Sequence, residues 1–472
     1  MLRPWKLQLD IKSQSKKAIY LQIADAIISD IRSGRLKEGT VLPGTRKLAE
    51  DLKLNRNTIV EAYNVLLSEE WLVTQDRKGT FVNSKLPILQ KGNINSVSKD
   101  IGGLPKHTLN ISFEGGYPDR DIAPINELAR AYRQIFNSQS RWQIMGYESE
   151  LGSNEFRNEI ASMLNFQRGM QVNDKNICIT RGSQMALYLV SQCMLKKGDI
   201  VAIENPGYPL AWKTFKNAGA KLLSIEVDKQ GMNVESLKRN LENGIKVKAV
   251  FVTSHHQFPT TVSLSLERRL SLIQLSNQYS FTIIEDDYDH EFHFDYRPLL
   301  PLSSYKELKN FVYIGTMSKI ISPALRIGYL VSNHLKLISK VGELRKIIDI
   351  QGDSIMEQAV LQLIQEGTIR RYLKKAISYY KNKRDFTEYL LNKYLKDKIT
   401  FDTPNGGLAY WIIPLKNINW KELDIHLQQR GIKIITPDHY GYNTIVNGIR
   451  LSYGTISKSQ LEEGIKTFSK LI

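Results

Sequence analysis

The chain has 472 residues, which is long enough for two or three domains, and 42% of them are hydrophobic, so a large core can form. Its two cysteines are too few for a disulfide framework or a cysteine-rich metal site. It has no apolar run of membrane-spanning length and no apolar secretion signal, so we expect a cytoplasmic protein. Residues 1–84 contain 14 basic and 10 acidic residues, which leaves +13 of the net charge of +17 for the rest. This basic balance favours an anionic partner such as nucleic acid.

The first predicted element is an amphipathic helix. Ile19, Ile23, Ile27 and Ile31 recur at every fourth residue, which places them on one helix face. Gly34 would end this helix, because glycine is favoured just after a helix C-terminus.

Two more helices follow with the spacing of a helix-turn-helix. The segment TRKLAEDL predicts a short helix that begins at Thr45, and Asn55 is a suitable N-cap for the next helix. The apolar face of that helix has i, i+3, i+4, i+7 spacing and consists of Ile59, Ala62, Tyr63 and Leu66. The exposed residues at its N-terminus, the end that enters the major groove in such motifs, are Arg56, Asn57 and Thr58.

The next segment, WLVTQDRKGTFV, predicts a hairpin of two short strands around Asp76–Gly79. Its turn carries Arg77 and Lys78, as expected of a wing that approaches DNA. A small helical domain with a hairpin that binds no DNA would show the same periodicity, so the pattern alone leaves both interpretations open.

This part of the chain resembles the GntR family of bacterial winged-helix regulators. LPGTRKLAEDL, LNRNTIVEAYNVL and KGTFV occur in the family's order. The resemblance implies DNA binding, with phosphate or base contacts from Arg46, Arg56, Asn57 and Thr58 and a minor-groove approach by Lys78 and Gly79. Arginine suits the role because its guanidinium can bind O6 and N7 of guanine. Gly44 stands where the family usually has serine, which removes one hydroxyl contact.

We therefore assign residues 1–83 to a winged helix-turn-helix domain of α+β type. Residues 84–107 are rich in Ser, Asn, Gly, Lys and Pro and show no regular period, which predicts a partly flexible linker.

From about residue 108 onward, strand-like and helix-like segments alternate, which predicts α/β architecture. Polar residues follow the predicted strands, namely Ser183, Tyr208, the His255–Thr260 loop, Asp286, Tyr288 and Lys319. Ligands bind where the strands of open α/β sheets end, so we expect these residues to converge on one crevice.

The residue types suit a phosphorylated pyridine aldehyde. A buried lysine such as Lys319 can form a Schiff base, and Asp286 can keep a ring nitrogen protonated. A helix start at RGSQ and Arg326 can bind a phosphate. Tyr288 can bond a ring hydroxyl, and Tyr208 can stack on the ring.

Each of these residues also has an ordinary structural interpretation. A lysine after a strand usually lies at the surface, and EDDYD is usually a solvated turn or, less often, a metal site. Their joint occurrence in this order favours the cofactor site.

The region from 108 to 472 resembles the fold-type-I pyridoxal-phosphate (PLP) enzymes of the aspartate aminotransferase family, with SKIISPALRIGYLV as the cofactor-lysine segment. The resemblance implies an α/β PLP-dependent transferase-like domain with a large part at about 140–330 and a smaller C-terminal α+β subdomain at about 335–472. The complete chain resembles the MocR-type subfamily of GntR regulators. PLP is the implied cofactor, and no metal is expected.

The same resemblance assigns residue roles. Lys319 would form the Schiff base, and phosphate hydrogen bonds would come from Ser183, Gln184, Thr316 and Ser318, with Arg326 as the anchoring cation. Tyr147 would reach the phosphate from the second subunit of a homodimer. Arg450, in GIRLSYG, would hold a substrate or effector carboxylate, although an arginine that pairs on a sheet surface has the same spacing.

Two departures from the family pattern affect the ligand. Phe258 stands where classical aminotransferases have an asparagine that touches the ring oxygen. GABA-responsive members carry an arginine directly after the tyrosine of PGY, whereas this chain has Pro209, so GABA is not the expected effector.

Three functions are compatible with these features. The first is a DNA-binding transcriptional regulator that senses PLP or an amino compound through Schiff-base chemistry and acts as a head-to-tail homodimer on double-stranded DNA. The second is a working aminotransferase with an accessory DNA-binding module. The third is a vestigial cofactor domain that only dimerises, which the intact Lys319, Asp286, Tyr288 and Arg326 argue against.

One basic run remains outside these assignments. RRYLKKAISYYKNKR, from Arg370 to Arg384, predicts a strongly basic helix. Such a run is usually a solvated helix face, and a DNA-facing surface is the alternative.

Overall fold

The computed structural model describes residues 17–75, 78–84, 111–137, 146–294 and 299–472. The chain divides into two compact units, Met1–Gly103 and Leu104–Ile472. Apart from Ser84, the predicted linker lies outside the described residues.

The described residues of the N-terminal unit form three helices and a hairpin in the predicted order. Its elements are α1 (Ile19–Arg32), α2 (Thr45–Leu52), α3 (Arg56–Ser68), β1 (Leu72–Gln75) and β2 (Gly79–Val82). The two strands pair antiparallel, so the fold predicted from the sequence is confirmed.

The predicted apolar faces form the core of this unit. Ile23 and Ile27 of α1 meet Ile59 and Leu66 of α3, all fully buried. The Tyr63 hydroxyl donates a hydrogen bond to a backbone carbonyl in the loop before α2, at 2.8 Å. The buried side of α3 is thus fixed by packing, which leaves its opposite side and N-terminus at the surface.

The C-terminal unit is built on β-strands from the whole length of its chain. They are β3 (Ile111–Ser112), β4 (Ile177–Thr180), β5 (Ile200–Asn205), β6 (Lys221–Asp228), β7 (Gly231–Met232), β8 (Val247–Val252), β9 (Thr282–Asp287), β10 (Phe311–Thr316), β11 (Gly328–Ser332), β12 (Ile399–Phe401), β13 (Ala409–Pro414), β14 (Ile432–Lys433) and β15 (Ile449–Ser452).

Helices alternate with these strands. The described ones are α4 (Ile125–Asn137), α5 (Asn154–Arg168), α6 (Ser183–Met194), α7 (Pro209–Asn217), α8 (Val234–Glu242), α9 (Leu266–Tyr279), α10 (Leu335–Asp349), α11 (Ser354–Gln365), α12 (Thr368–Leu395), α13 (Trp420–Gln429) and α14 (Lys458–Leu471).

The central sheet has eight strands in the order β4-β11-β10-β9-β8-β5-β6-β7. Strands β10, β9, β8, β5 and β6 are parallel, whereas β11 is antiparallel to both of its neighbours. Every residue of β10 is buried, as expected for a central parallel strand covered on both faces. The parallel strands end at one edge, and the candidate site forms there.

Side chains of one strand alternate between the two faces of this sheet. Ile284 packs in the cluster that contains α6, α7 and α10, whereas Ile283 packs in the larger cluster on the other side. Asp286 therefore points to the α6 side and Asp287 to the opposite side.

A second sheet, of β12, β13 and β15, is antiparallel and belongs to the C-terminal part of the same unit. The long helix α12 packs against α14 beside it. The pairing of β3 with β14 places the segment after β3, residues 113–121, near β15. None of the helices that the structure describes is long and apolar enough to cross a membrane.

Candidate functional site

The recognition end of α3 is exposed on the N-terminal unit. The Asn55 side chain caps the helix by accepting a hydrogen bond from the Asn57 amide at 2.9 Å. Arg56 and Asn57 are exposed, Thr58 is half-buried, and Arg46 at the start of α2 is exposed. The cap thus holds donors of the types that bind phosphates and base edges at a surface-facing helix start.

The hairpin brings the predicted wing residues to its tip. Gln75 pairs with Gly79 across the turn, and both Lys78 and Gly79 are exposed. Asp76 and Arg77, also predicted there, lie outside the described residues.

The N-terminus of α6 lies beside the Arg326 guanidinium. Gly182 precedes the helix with φ of +85°, a conformation that favours glycine. Arg326 donates from Nη2 to the Arg181 carbonyl at 2.9 Å, and a Cβ on Gly182 would lie 2.8 Å from that same nitrogen. Ser183 begins the helix, so its free amides and the guanidinium present donors and positive charge together, as a phosphate requires.

Three other predicted phosphate ligands differ in their contacts. The Ser318 hydroxyl is buried without a partner among the described residues, and the Ser318 amide donates to Thr316 Oγ1 at 3.1 Å. Thr316 Oγ1 itself donates to the Ile327 carbonyl at 3.2 Å. Gln184 donates from Nε2 to Thr214 Oγ1 at 2.8 Å. Ser318 therefore has an unused hydroxyl, whereas Thr316 and Gln184 already bond within the protein.

Asp286 is a buried carboxylate that lacks a hydrogen bond. Its Oδ1 has no partner among the described residues. Burial, together with the charges of Asp287 and Asp289, raises the pKa of Asp286 to about 7, and the Lys319 ammonium partly offsets this. A cation or an N–H donor beside Oδ1 would remove the cost of this buried charge.

Lys319 lies three residues beyond β10, where its Nζ donates to the Gly116 carbonyl at 2.7 Å. The ammonium also sits 4.4 Å from the ring centre of Tyr117. Burial, together with the positive charge of Arg450, lowers the pKa of Lys319 to about 7. A substantial fraction of this amine is therefore unprotonated and nucleophilic near neutral pH.

This depressed pKa predicts a pH-dependent stability. In the unfolded chain the lysine has a pKa of about 10.4, so between pH 7 and 10 it is protonated there while the folded lysine is largely neutral. Because the unfolded state binds more protons in this range, the free energy of unfolding rises with pH, and the lysine destabilises the fold most at the lower pH. Cofactor-free Lys319→Met should exceed the unmodified protein in free energy of unfolding by at most about 4 kcal/mol at pH 7. Urea unfolding at pH 7, 8.5 and 10 should show this excess shrinking, and an excess independent of pH would contradict the assigned pKa.

The aromatic residues of the site contact one another. The rings of Tyr208 and Phe258 meet edge to face, with centres 5.4 Å apart. The Tyr288 hydroxyl donates to the His256 carbonyl at 2.8 Å, so it is bonded to the backbone of the His255–Thr260 loop, which also contains Phe258. The hydroxyl oxygen can still accept a hydrogen bond from a cofactor hydroxyl, whereas donation to that group would require this bond to be exchanged.

Arg450 is buried on β15. Its Nη1 donates to Ser452 Oγ at 2.9 Å, and its guanidinium lies 5.3 Å from the ring centre of Phe258. Nε is buried without a partner among the described residues. A Cβ on Gly116 would lie 2.7 Å from Nη1, so the glycine allows the loop to approach the guanidinium. A buried guanidinium with an unused donor fits a carboxylate ligand better than a surface ion pair.

A second polar cluster lies on the opposite face of β9. Asp287 accepts a hydrogen bond from Tyr313 at 2.6 Å and lies 3.2 Å from His255 Nδ1 and 3.1 Å from His290 Nδ1. His255 Nε2 also contacts the Leu299 carbonyl at 2.6 Å. The two histidines and the aspartate are close enough to hold a metal ion, but His255 and Tyr313 already hydrogen-bond Asp287.

Comparison with known proteins identifies both units. Residues 114–468 match the family "Aminotransferase class I and II", and residues 19–82 match "Bacterial regulatory proteins, gntR family". The chain belongs to the class I and II aminotransferase family.

Full-length relatives of the chain share both units. The probable rhizopine catabolism regulatory protein MocR of Rhizobium meliloti is 27% identical to this chain. The alignment covers 95% of this chain and 92% of the Rhizobium protein. The HTH-type pyridoxine biosynthesis transcriptional regulator PdxR of Corynebacterium glutamicum is 26% identical and covers 96% of each chain. This aminotransferase-family protein is therefore of the MocR type, as predicted from the sequence.

A solved structure supports the fold of the larger unit. Kynurenine aminotransferase of Pyrococcus horikoshii, determined with PMP, is 25% identical with a TM-score of 0.73, and the match covers 77% of this chain and 91% of the enzyme. The predicted fold class and the PLP cofactor are both supported by this family membership.

The residues of this MocR-type chain fit PLP. The helix start at Ser183, Arg326 and the unused Ser318 hydroxyl suit a phosphate, and the unpartnered oxygen of Asp286 suits a protonated ring nitrogen. Lys319, whose pKa responds to the charge of Asp286, offers a partly neutral amine. The charges and orphaned polar atoms of the crevice thus match the three polar parts of the cofactor.

Sequence reasoning missed the loop formed by Gly116 and Tyr117, which contacts both Lys319 and Arg450. The segment FEGGYPD signals only a turn, and Gly116 lies 203 residues before the lysine that it contacts. It also missed Ser452, although Ser452 follows Arg450 at the strand period of two. Paired glycines in a loop were the available signal for close backbone approach.

Proposed function

We propose that this protein is a MocR-type transcriptional regulator that binds double-stranded DNA through α3 and the hairpin. Its aminotransferase-like unit would bind PLP and sense the cofactor itself, or an amino compound, through Schiff-base chemistry at Lys319. The observation that carries the proposal is the presence, in one chain, of an exposed, capped recognition helix and a crevice in which Lys319, Asp286 and Arg326 suit PLP.

PLP, when bound, supplies an aldehyde that can exchange one amine for another. The Lys319 amine would hold the cofactor, since its lowered pKa leaves much of it neutral. The Asp286 carboxylate would accept a hydrogen bond from the protonated ring nitrogen, and Arg326 with the α6 N-terminus would bind the phosphate. An incoming amine that takes the place of Lys319 would return this side chain to its free form, in which Nζ donates to the Gly116 carbonyl.

Control of this loop by Lys319 is a means to couple the crevice to DNA affinity. An effector changes DNA binding only if it favours one conformation over another. Lys319 and Arg450 both touch the Gly116 loop, so amine exchange at one and carboxylate binding at the other would act on the same segment.

Arg450 indicates an effector with a carboxylate. We expect Arg450→Gln to weaken the binding of amino acids that shift the cofactor's visible spectrum by roughly 10- to 100-fold, the effect of one lost charged hydrogen bond. Simple amines of similar size should be unaffected and serve as the ligand control. Equal weakening of both ligand classes would show that Arg450 supports the crevice rather than reading a carboxylate.

We further propose a head-to-tail homodimer in which Tyr147 contacts the phosphate bound by the other subunit. Fold-type-I aminotransferases are typically dimeric. Tyr147 is 86% exposed, so its side chain is accessible to a second subunit. Crosslinks from each N-terminal unit only to its own C-terminal unit would contradict the head-to-tail arrangement.

The DNA-binding half of the proposal depends on Arg56. Arg56→Ala should weaken binding to a duplex selected by the protein from random-sequence DNA by roughly 10- to 100-fold, because a base-reading arginine contributes about 1–3 kcal/mol. Lys37→Ala, another exposed cation of this unit, is the matched control. Fluorescence anisotropy would measure both, and equal affinities would remove Arg56 from the DNA interface.

The aminotransferase alternative is separable by one titration. The PLP-loaded protein would be mixed with a panel of amines and amino acids while the visible spectrum is followed. A shift that stalls supports a sensor and identifies its effector. Repeated cycles restored by a keto acid would establish an enzyme and overturn the sensor.

A further inference from the structure

The C-terminal unit has a basic groove that shares no residue with the cofactor crevice. The first seventeen residues of α12, Thr368–Arg384, contain seven basic residues and no acidic one. Four of these cations are exposed, namely Arg370, Arg371, Lys374 and Lys375. The run therefore divides into an exposed cluster and a remainder that is more buried.

Three cations of the run have structural partners. Lys383 pairs with Asp119 at 2.9 Å, and Arg384 pairs with Asp385 at 2.8 Å. Arg371 donates to the Glu366 carbonyl and to Thr368 Oγ1 at the start of the helix. These three side chains have roles within the fold.

The remaining exposed cations have no such role. Arg370, Lys374 and Lys375 form no ion pair or hydrogen bond with any residue that the structure describes. Arg370 and Lys374 are four residues apart, as are Arg371 and Lys375, and like charges at this spacing destabilise a helix. A bound polyanion would relieve this repulsion.

The surface beside these cations is concave. The groove is lined by Arg371, Lys374, Lys375, Ser378, Tyr379 and Asn382. All six have side chains of the types that contact phosphate and sugar in protein–DNA complexes. The Tyr379 hydroxyl already donates to Asp119 at 2.7 Å, but no carboxylate of the described residues lines the groove. By contrast, the crevice beside the Tyr117 loop includes Glu114, Asp119 and Asp121.

We propose that this α12 groove, together with the neighbouring Arg370, binds the sugar-phosphate backbone of the DNA that the protein regulates, in addition to the contacts of the winged helix. The inference rests on the proposed function, because the winged helix is what brings DNA to this chain. Lysine and arginine heads next to serine and asparagine suit a repeated phosphate backbone read without regard to base sequence. The aminotransferase-like unit would thus contribute affinity, and the N-terminal unit would contribute sequence preference.

The test compares two triple variants of the full-length, PLP-loaded protein. The first is Arg370→Gln with Lys374→Gln and Lys375→Gln, and the control is Lys197→Gln with Lys246→Gln and Lys248→Gln, which removes the same charge from other exposed lysines of the unit. Binding to a selected duplex and to an unselected one would be measured from low to high KCl. Unchanged thermal unfolding and cofactor absorption would confirm that each variant is folded.

We expect the α12 variant to reduce the slope of log K against log [KCl] by roughly two to three, since each phosphate contact contributes about 0.9. Extrapolated from equal affinities near 1 M salt, binding at 0.1 M should be roughly 10²- to 10³-fold weaker. The ratio of selected to unselected binding should persist, and the control should keep the original slope. Arg370→Lys with Lys374→Arg and Lys375→Arg, which retains the charges, should restore the slope.

Equal slopes for the α12 variant and the original protein would overturn the proposal that the groove binds DNA. This would hold even if the groove were then found to bind another acidic partner. Equal losses in both triples would also overturn it, because net charge alone would then explain the effect. Failure to select any preferred duplex would contradict the winged-helix function, while the slope on unselected DNA would still decide the groove.

Discussion

Lys319→Ala should abolish the covalent attachment of PLP and every spectral response to added amines. Alanine offers no amine to the aldehyde, and the phosphate cradle and Asp286 would hold the cofactor only non-covalently. After loading with PLP, borohydride reduction and digestion, mass spectrometry should find the cofactor on a peptide that contains Lys319 in the original protein. The variant should yield no such peptide and should lose its visible absorption on dialysis.

Two controls define what this result means. Lys340→Ala, an exposed lysine on α10, should leave the labelled peptide and the spectrum unchanged. Lys319→Arg keeps a positive charge but has no titratable amine at neutral pH, so it should behave like the alanine variant if nucleophilicity, rather than charge, is required. A reduced adduct that persists in Lys319→Ala would place the Schiff base on another lysine.

Some features of this site could be predicted from the sequence, whereas features of adjacent residues could not. The helix cap at Asn55, the glycine before α6 and the buried strand β10 were predictable, because each depends on residues adjacent in the chain. Strand alternation also separates Asp286 from Asp287. Their environments were not predictable, since the partners of Asp287 come from His255 and His290 on other segments.

Side-chain bonding was predicted less well than position. Gln184 follows the helix start as expected, but its amide bonds to Thr214 on α7, thirty residues away. Tyr288 lies beside the predicted crevice, yet its hydroxyl bonds to a backbone carbonyl. Local pattern fixes where such residues stand, whereas the competition among acceptors that decides their bonds arises only when distant segments pack.

Asp286→Asn should have opposite effects on the free protein and on its cofactor complex. Without PLP, the carboxylate is buried and its Oδ1 lacks a partner, so the neutral amide should raise the free energy of unfolding at pH 8 by on the order of 2–4 kcal/mol. The sign follows from the raised pKa. In the unfolded chain the carboxyl ionises near pH 3.9, so its ionisation is favourable at pH 8. In the folded protein burial makes the same ionisation less favourable, which lowers the free energy of unfolding. This gain should vanish below about pH 4, where both states are protonated.

With PLP, the same change removes the charge that would pair with the protonated ring nitrogen. Loss of one partner from a buried ion pair costs about 3–5 kcal/mol, so PLP affinity should fall by roughly 10² to 10³-fold or more. Asp287→Asn is the matched control, since it breaks the cluster with Tyr313, His255 and His290 and should destabilise the free protein. Urea unfolding and PLP titration of both variants would measure these effects. A free Asp286→Asn protein less stable than the original would show that this carboxylate serves the fold, and an unchanged PLP affinity would remove it from the cofactor site.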